Sequence, residues 1–273
     1  MLPDPVSSPL IGVFDSGVGG LSVLRALHAA LPQAAWRYLA DSANAPYGGR
    51  SEAFVTDRSL RVAEHLFEQG CAGLVVACNT ATAIAIERLR ERWPTRPIIG
   101  VEPGVKPAVA ATRNGRVGVL ATPALLASRR YRALVREQAA AVTIVDRSCP
   151  ELAGLIERAD ARNPANDAAL GASVQSHCDA LRDAGVDTVV LGCTHYAFVF
   201  DAISRAMGPQ VQIVDTTDAV AQQAARRFAA LPPAPGRHTG AIRLTATGDA
   251  QPLRDTATAW LGADFSVSVA DYV

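Results

Sequence analysis

Short apolar runs alternate along the chain with longer segments in which apolar residues recur at helical spacing. Eight of these runs are rich in valine, isoleucine and leucine: LIGVF, WRYLA, GLVVA, RPIIGV, RVGVLA, AVTIVD, DTVVLG and VQIVD. Continuous apolar runs of this length are typical of strands buried on both faces of a parallel sheet. The alternation of such strands with helices predicts an α/β fold with mostly parallel sheets.

Capping and turn-forming residues mark the ends of two predicted helices. One helix opens with Ser51 and stops at Gly70, and another opens with Pro164 and stops at Gly185. The stretch LPPAPGRHTG at 231–240 has the composition of a loop. It is short and lies late in the chain, so we expect it to join elements rather than domains.

Internal repetition suggests that the chain contains two similar halves. IGVFDSGVGGLS at 11–22 resembles VGVLATPALLAS at 117–128. Each is followed by a strand that ends in a cysteine, GLVVACNTATA with Cys78 and DTVVLGCTHYA with Cys193. Any two α/β segments can share an apolar pattern, so that alternative stays open here. The repetition nevertheless favours two α/β halves, each with a thiol at a strand end.

Polar side chains follow five of the predicted strands. In open α/β sheets, ligands bind beyond the carboxyl ends of the strands, where such groups converge. We therefore expect the ligand site to include the residues at these strand ends: Asp15, Ser16, Asp41, Cys78, Asn79, Thr80, Thr122, Cys193, Thr194 and His195.

The two repeated cysteines differ in context from the other three. Cys71 and Cys178 lie in apolar surroundings and are expected to be small buried hydrophobic residues, while Cys149 is ambiguous. Cys78 and Cys193 precede hydroxyl and amide groups at turns, where backbone N–H groups can stabilise a thiolate. One thiol per half suits two thiols that face each other across a cleft. An acid and a base on opposite faces of a carbon are what a racemase requires.

Composition and charge exclude several other functions. The 26 basic residues balance the 26 acidic ones in a chain of 273 residues, so no net field attracts nucleic acid or an anionic membrane. No secretory signal and no apolar run of about 18 residues is present, so we predict a cytoplasmic protein without a membrane span. The five cysteines are an odd set without a C-x-x-C pair, which indicates neither disulfides nor a metal site.

Six motifs resemble the bacterial glutamate racemases of the aspartate/glutamate racemase family, in order and spacing: GVFDSGVGGLSVL, ADSANAPYG, ACNTAT, GVEPGVKPA, CPELAGLIE and LGCTHY. The resemblance covers nearly the whole chain. It implies a homodimeric enzyme of two pseudosymmetric α/β domains that makes D-glutamate for peptidoglycan without a cofactor. It also implies that Cys78 takes the proton from D-glutamate with help from Asp15, and Cys193 from L-glutamate with help from His195.

By the same resemblance, substrate contacts come from Asp15, Ser16, Tyr47, Gly48, Asn79, Thr80, Thr194 and His195. Hydroxyl, amide and backbone N–H groups of this kind bind carboxylates, and Asp15 is suited to a cation or a proton. Helix capping is the alternative role for Ser16 and Thr80. The roles of Asp41 and Glu157 stay open, because the sequence around each departs from the family pattern.

The predicted organisation is a discontinuous first domain, 1–103 plus 214–273, and an inserted second domain, 104–213, with substrate in the cleft between them. We expect no cofactor. Racemisation through pyridoxal phosphate needs a Schiff-base lysine, and the single lysine, Lys106, lies in PGVKPA rather than at a strand end.

Other functions compete with this interpretation. A nicotinamide-dependent oxidoreductase would use a glycine-rich turn after the first strand; Gly17 and Gly19 fit it, but Ser22 stands at the third glycine position and an aspartate lies in the turn. A two-lobed binding protein gives no reason for two thiols. A racemase for aspartate or a hydantoin is a closer alternative, which binding of glutamate against aspartate would distinguish.

Overall fold

The computed structural model describes residues 8–138, 142–232, 240–262 and 265–270. All eight apolar runs form strands, as predicted. The strands of the described residues are β1 Leu10–Asp15, β2 Ala35–Ala40, β3 Gly73–Val76, β4 Ile98–Gly100, β5 Arg116–Ala121, β6 Thr143–Ser148, β7 Thr188–Gly192, β8 Gln212–Val214, β9 Ile242–Ala246 and β10 Val267–Val269.

The strands form two sheets, and every pairing within them is parallel. A six-stranded sheet has the order β10-β9-β2-β1-β3-β4, and a four-stranded sheet has the order β6-β5-β7-β8. The central strands β1 and β3 of the first sheet correspond to β5 and β7 of the second. The prediction of an α/β fold with parallel sheets is thus confirmed.

Helices connect the strands and cover both faces of each sheet. Strands buried on both faces explain why the sequence shows continuous apolar runs instead of alternation. The helices are α1 Leu21–Ala30, α2 Glu52–Glu68, α3 Asn79–Arg92, α4 Val105–Ala111, α5 Pro123–Ala127, α6 Arg129–Gln138, α7 Leu152–Arg158, α8 Ala168–Asp183, α9 Phe200–Met207, α10 Thr217–Phe228 and α11 Gln251–Leu261, with 3-10 turns at Ser42–Asn44, Tyr47–Gly49, Pro164–Asn166 and Thr194–Val199.

One of the two predicted helix starts is wrong. α2 is capped by Ser51 as expected, but α8 begins at Ala168 rather than at Pro164. The carboxylate of Asp167 accepts a hydrogen bond of 2.9 Å from the Leu170 N–H, and this cap fixes the first turn. Pro164 lies in a separate 3-10 turn. In the predicted loop at 231–240, residues 233–239 lie outside the described part of the chain.

Strands β9 and β10 were not predicted from the sequence. β9 is only partly buried, and β10 has three residues at the edge of the sheet, so neither contains a continuous apolar run. β9 pairs with β2 and extends the first sheet. The C-terminal part of the chain therefore returns to the N-terminal half, where the Thr247 hydroxyl bonds Asp41.

The packing keeps two of the cysteines away from the strand ends. Cys71 lies in the core between the first sheet and α2 and α3, and Cys178 lies in the core beneath α8. Both are fully buried, as predicted. No helix in the described ranges is long and apolar enough to cross a bilayer.

Candidate active site

Both repeated thiols lie on one cavity between the carboxyl ends of the two sheets. Cys78 follows β3 and is the N-cap of α3, and Cys193 follows β7 directly. The cavity encloses about 20 Å³, hardly more than one water molecule needs, so the cleft must widen before an amino acid can bind. Its lining residues are Ser16, Pro46, Tyr47, Gly48, Cys78, Asn79, Thr80, Thr122, Ala153, Glu157, Cys193, Thr194 and His195.

Of the strand-end residues expected at the site, all but Asp15 and Asp41 line this cavity, and Asp15 lies directly behind its wall. It is fully buried. Its Oδ1 accepts hydrogen bonds from the Gly17 N–H at 3.0 Å and the Ser16 hydroxyl at 3.3 Å. Its Oδ2 accepts one from the Thr194 hydroxyl at 2.9 Å. Asp15 thus links the strand end of the first half to the turn after Cys193 in the second.

The Cys78 thiol is buried and lies near the Asp15 carboxylate. Burial and the nearby Asp15 carboxylate raise the pKa of Cys78 to about 12, although hydrogen bonding to Ala81 and Ser16 opposes this shift. The sulfur accepts from the Ala81 N–H at 3.4 Å and donates to the Ser16 Oγ at 3.8 Å. Burial also raises the pKa of Asp15, against the charge of His195. The first half therefore favours a protonated thiol.

The Cys193 thiol is less buried and has a basic partner. Its sulfur lies 3.6 Å from His195 Nδ1, and His195 Nε2 lies 2.7 Å from Glu157 Oε1. Burial alone would lower the pKa of His195, but hydrogen bonds to Cys193 and Glu157 and the Glu157 charge raise it well above its usual value. Glu157, whose role the sequence left open, thus lines the cavity and holds the imidazole.

The proposed capping role of Ser16 and Thr80 is wrong. Gly20 precedes α1 without a side-chain cap, and the Cys78 sulfur itself occupies the cap position of α3. The Thr80 and Thr122 hydroxyls instead form a hydrogen bond of 2.9 Å between the two halves. Thr122, a strand-end residue that the predicted contacts omitted, therefore belongs to the cavity wall.

Asp41 lies outside the cavity wall and supports the Tyr47–Gly49 turn. Its carboxylate accepts hydrogen bonds from the Tyr47 hydroxyl at 2.5 Å and from Arg58 Nε at 2.9 Å and Nη2 at 2.8 Å. Thr247, which follows β9, and the Asn44 amide donate two more, at 2.8 Å and 2.9 Å. Burial opposes the charged carboxylate, but these donors, Arg58 first among them, hold the pKa of Asp41 below its usual value.

Arg58 could not be identified from the sequence, because nothing in the helical pattern of α2 distinguishes its buried charge from the exposed charges of that helix. Replacing Arg58 with methionine leaves the Asp41 carboxylate buried and unpaired. We expect the free energy of unfolding to fall by about 3–5 kcal/mol at pH 7. Chemical denaturation measures this loss.

The control variant is Arg61→Met, which removes an exposed ion pair with Asp57 on the same helix and is expected to cost about 0.5 kcal/mol or less. The pKa of Asp41 is lower in the folded protein than in the unfolded chain. Its ion pair with Arg58 therefore stabilises the fold fully above the unfolded-state pKa of about 4. This stabilisation is lost as the pH falls through the folded-state pKa. The difference between Arg58→Met and wild type should therefore shrink in acid. Equal losses in the two variants would contradict the buried ion pair.

Within the described ranges, no group of three or more histidine, cysteine, aspartate or glutamate side chains is placed to hold a metal ion. The residues around the cavity supply two thiols, an imidazole held by the Glu157 carboxylate, hydroxyls and an amide. This set is suited to proton transfer and to binding a carboxylate.

Comparisons with known proteins agree with this chemistry. The Asp/Glu/Hydantoin racemase family model matches residues 11–224. A glutamate racemase from Ralstonia pickettii is 45% identical over 252 residues, which cover 92% of this chain and 88% of that protein.

Two solved structures share the fold. A glutamate racemase isoform from Bacillus anthracis superposes with a TM-score of 0.84 at 30% identity, covering 97% of this chain and 98% of that one. The Escherichia coli glutamate racemase, solved with L-glutamate and an activator, gives a TM-score of 0.84 at 29% identity, covering 96% and 97%. The resemblance of the six motifs is thereby confirmed, and the chain belongs to the Asp/Glu/Hydantoin racemase family.

Proposed function

We propose that this protein interconverts L-glutamate and D-glutamate, with Cys78 and Cys193 as the two proton-transfer groups. The observation that carries the proposal is the position of both thiols, each at the end of a corresponding strand, on the wall of one cavity. The relatives named glutamate racemase support glutamate as the substrate.

In the L-to-D direction, the Cys193 thiolate removes the α-proton and the Cys78 thiol delivers a proton to the opposite face. The product leaves Cys193 as a thiol and Cys78 as a thiolate, so the reverse reaction uses the same groups with exchanged roles. The raised pKa of Cys78 suits the acid in this direction. Asp15 assists on the Cys78 side and His195 on the Cys193 side.

Polar groups around the cavity bind the substrate. We assign the two carboxylates to hydroxyl, amide and backbone N–H donors, among which the first residues of α3 add the favourable field of a helix N-terminus. The ammonium group has the buried carboxylate of Asp15 nearby. The proposed contacts are Asp15, Ser16, Tyr47, Gly48, Asn79, Thr80, Thr194 and His195.

The same proposal includes two domains, 1–103 plus 214–273 and 104–213. The division of the strands between the two sheets supports these domains, because β1–β4, β9 and β10 form one sheet and β5–β8 form the other. The homodimer, the cytoplasmic location and the supply of D-glutamate for peptidoglycan follow from the family resemblance and stay predictions.

The test is racemisation of L-glutamate by the purified protein, followed as loss of optical rotation. We expect activity with glutamate and at most traces with aspartate, because a shorter side chain cannot reach the same carboxylate donors. Activity should need neither added cofactor nor metal. The proposal would be contradicted by turnover of aspartate in place of glutamate or by an absorption band of a pyridoxal imine. Loss of activity on adding a chelator, with recovery of activity on adding a metal ion, would also contradict it.

A further inference from the structure

The loop from Ser16 to Gly20, between β1 and α1, contacts groups on both thiol sides. The Gly17 N–H donates to Asp15 at 3.0 Å, and the Val18 N–H donates to Glu157 Oε1 at 3.1 Å. Glu157 in turn holds His195 beside Cys193. The backbone of this loop therefore helps to orient the acidic groups that serve each cysteine.

The loop fits there because it has no side chains at two critical points. A Cβ at Gly17 would lie 1.9 Å from Glu157 Oε1, and one at Gly19 would lie 2.5 Å from both His195 Nδ1 and the Thr194 hydroxyl. Glycine permits this approach but leaves the backbone with many accessible conformations. A loop of this kind needs anchors outside itself to hold its N–H groups in place.

Tyr38 provides such an anchor from strand β2. Its ring is fully buried, and its hydroxyl donates a hydrogen bond of 2.7 Å to the Gly17 carbonyl. That carbonyl and the Val18 N–H belong to the same planar peptide unit and point in opposite directions. Fixing the carbonyl on one side therefore fixes the direction in which the N–H meets Glu157 on the other.

A continuous chain of hydrogen bonds thus runs from Tyr38 through one peptide unit to Glu157, His195 and Cys193. We infer that Tyr38 is a positioning residue for the Cys193 side of the reaction, acting through the Gly17–Val18 peptide on Glu157. The inference rests on the proposed function and adds to it a residue that does not line the cavity.

The electrostatics of the chain agree with this role. Burial and the charges of Asp15 and Glu157 raise the pKa of Tyr38 well above its usual value, so its hydroxyl stays a donor. Glu157 faces His195, the Val18 N–H and Arg158, all of which lower its pKa against the effect of burial. Asp15 is the other carboxylate close by. Loss of the Val18 bond should therefore raise the pKa of Glu157.

The test compares Tyr38→Phe with Tyr131→Phe, a buried tyrosine whose hydroxyl bonds Asp146 in the other half. We expect Tyr38→Phe to lower kcat/KM about tenfold, as a small misplacement of catalytic groups does. The factor is the same in both directions, because the enantiomers have equal free energy in solution. The acid limb of the pH profile should also move to higher pH. Tyr131→Phe should change neither.

A double-mutant cycle separates positioning from general damage. If Tyr38 acts through Glu157, then adding Tyr38→Phe to Glu157→Gln should change kcat/KM by no more than about twofold. A further tenfold loss, or equal effects of the two Tyr→Phe changes, would overturn the inference.

Amide exchange gives a readout that does not depend on activity. In wild type, the Val18 amide should exchange slowly, and Tyr38→Phe should accelerate it about tenfold or more while Tyr131→Phe does not. A Val18 amide that already exchanges rapidly in wild type would overturn the inference without any variant. If the wild-type protein failed to racemise glutamate, the proposed function would fail, while amide exchange would still decide whether Tyr38 holds the loop.

Discussion

Replacing either Cys78 or Cys193 with alanine is expected to lower kcat for glutamate racemisation by about a thousandfold or more in both directions. Each thiol is the base in one direction and the acid in the other, so neither direction can proceed without both. The double variant should be scarcely less active than either single variant, because groups that act as a unit are not additive. Initial rates from L-glutamate and from D-glutamate measure all three variants.

Cys71→Ala and Cys178→Ala are the matched controls for these substitutions. Both cysteines are as buried as Cys78 but lie in the cores beneath the sheets, so their loss should change turnover only a few fold. Cys149 is a poorer control, since its thiol donates to the Arg147 carbonyl and lies close to Cys193 and Tyr196. Retention of roughly a tenth of the wild-type rate by Cys78→Ala would assign that cysteine a structural role.

The sequence predicted the strands that carry the site because those strands are buried on both faces. A short apolar run such as GLVVA is typical of a buried strand, and the residues that follow it lie at the carboxyl end of that strand. Together with the internal repeat, this rule predicted that Cys78 and Cys193 meet at one site. β9 and β10 were missed because both are partly exposed and neither contains such a run. Thr247, which follows β9, was missed with them.

The supporting residues could not be predicted, because their roles depend on contacts between distant parts of the chain. In the sequence Arg58 resembles Arg61, the exposed arginine of α2, and only the position of Asp41 after β2 gives it a buried partner. Tyr38 resembles any aromatic residue of a buried strand, and only the course of the glycine loop gives its hydroxyl a partner. Glu157 and His195 lie 38 positions apart and meet only when α7 packs against the turn after β7.

The geometry of the two thiols makes a second prediction, on deuterium incorporation. When L-glutamate is racemised in deuterium oxide, we expect early D-glutamate to be almost fully deuterated at the α-carbon, beside L-glutamate that is almost unlabelled. Cys78 carries a solvent deuteron and delivers it to product, whereas Cys193 holds the substrate proton and returns it on reversal. Starting from D-glutamate should give the mirror result.

The difference in deuterium content between product and recovered substrate depends on how fast the abstracting thiol exchanges its proton with solvent. Cys78 is only 6% exposed and its raised pKa keeps it protonated, so it should retain a proton taken from D-glutamate. Cys193 is more accessible, so recovered L-glutamate should carry slightly more label than recovered D-glutamate.

Proton NMR measures the deuterium content at the α-carbon of each enantiomer, after the two are separated at a few per cent conversion. The measurement is made from both starting substrates. A single base would return protons from one pool to either face and label substrate and product alike. Equal label in both enantiomers, from both starting substrates, would therefore contradict thiols on opposite faces. It would also leave the paired strand-end cysteines without a chemical reason, since neither turn needs a thiol to cap its helix when serine or aspartate caps better.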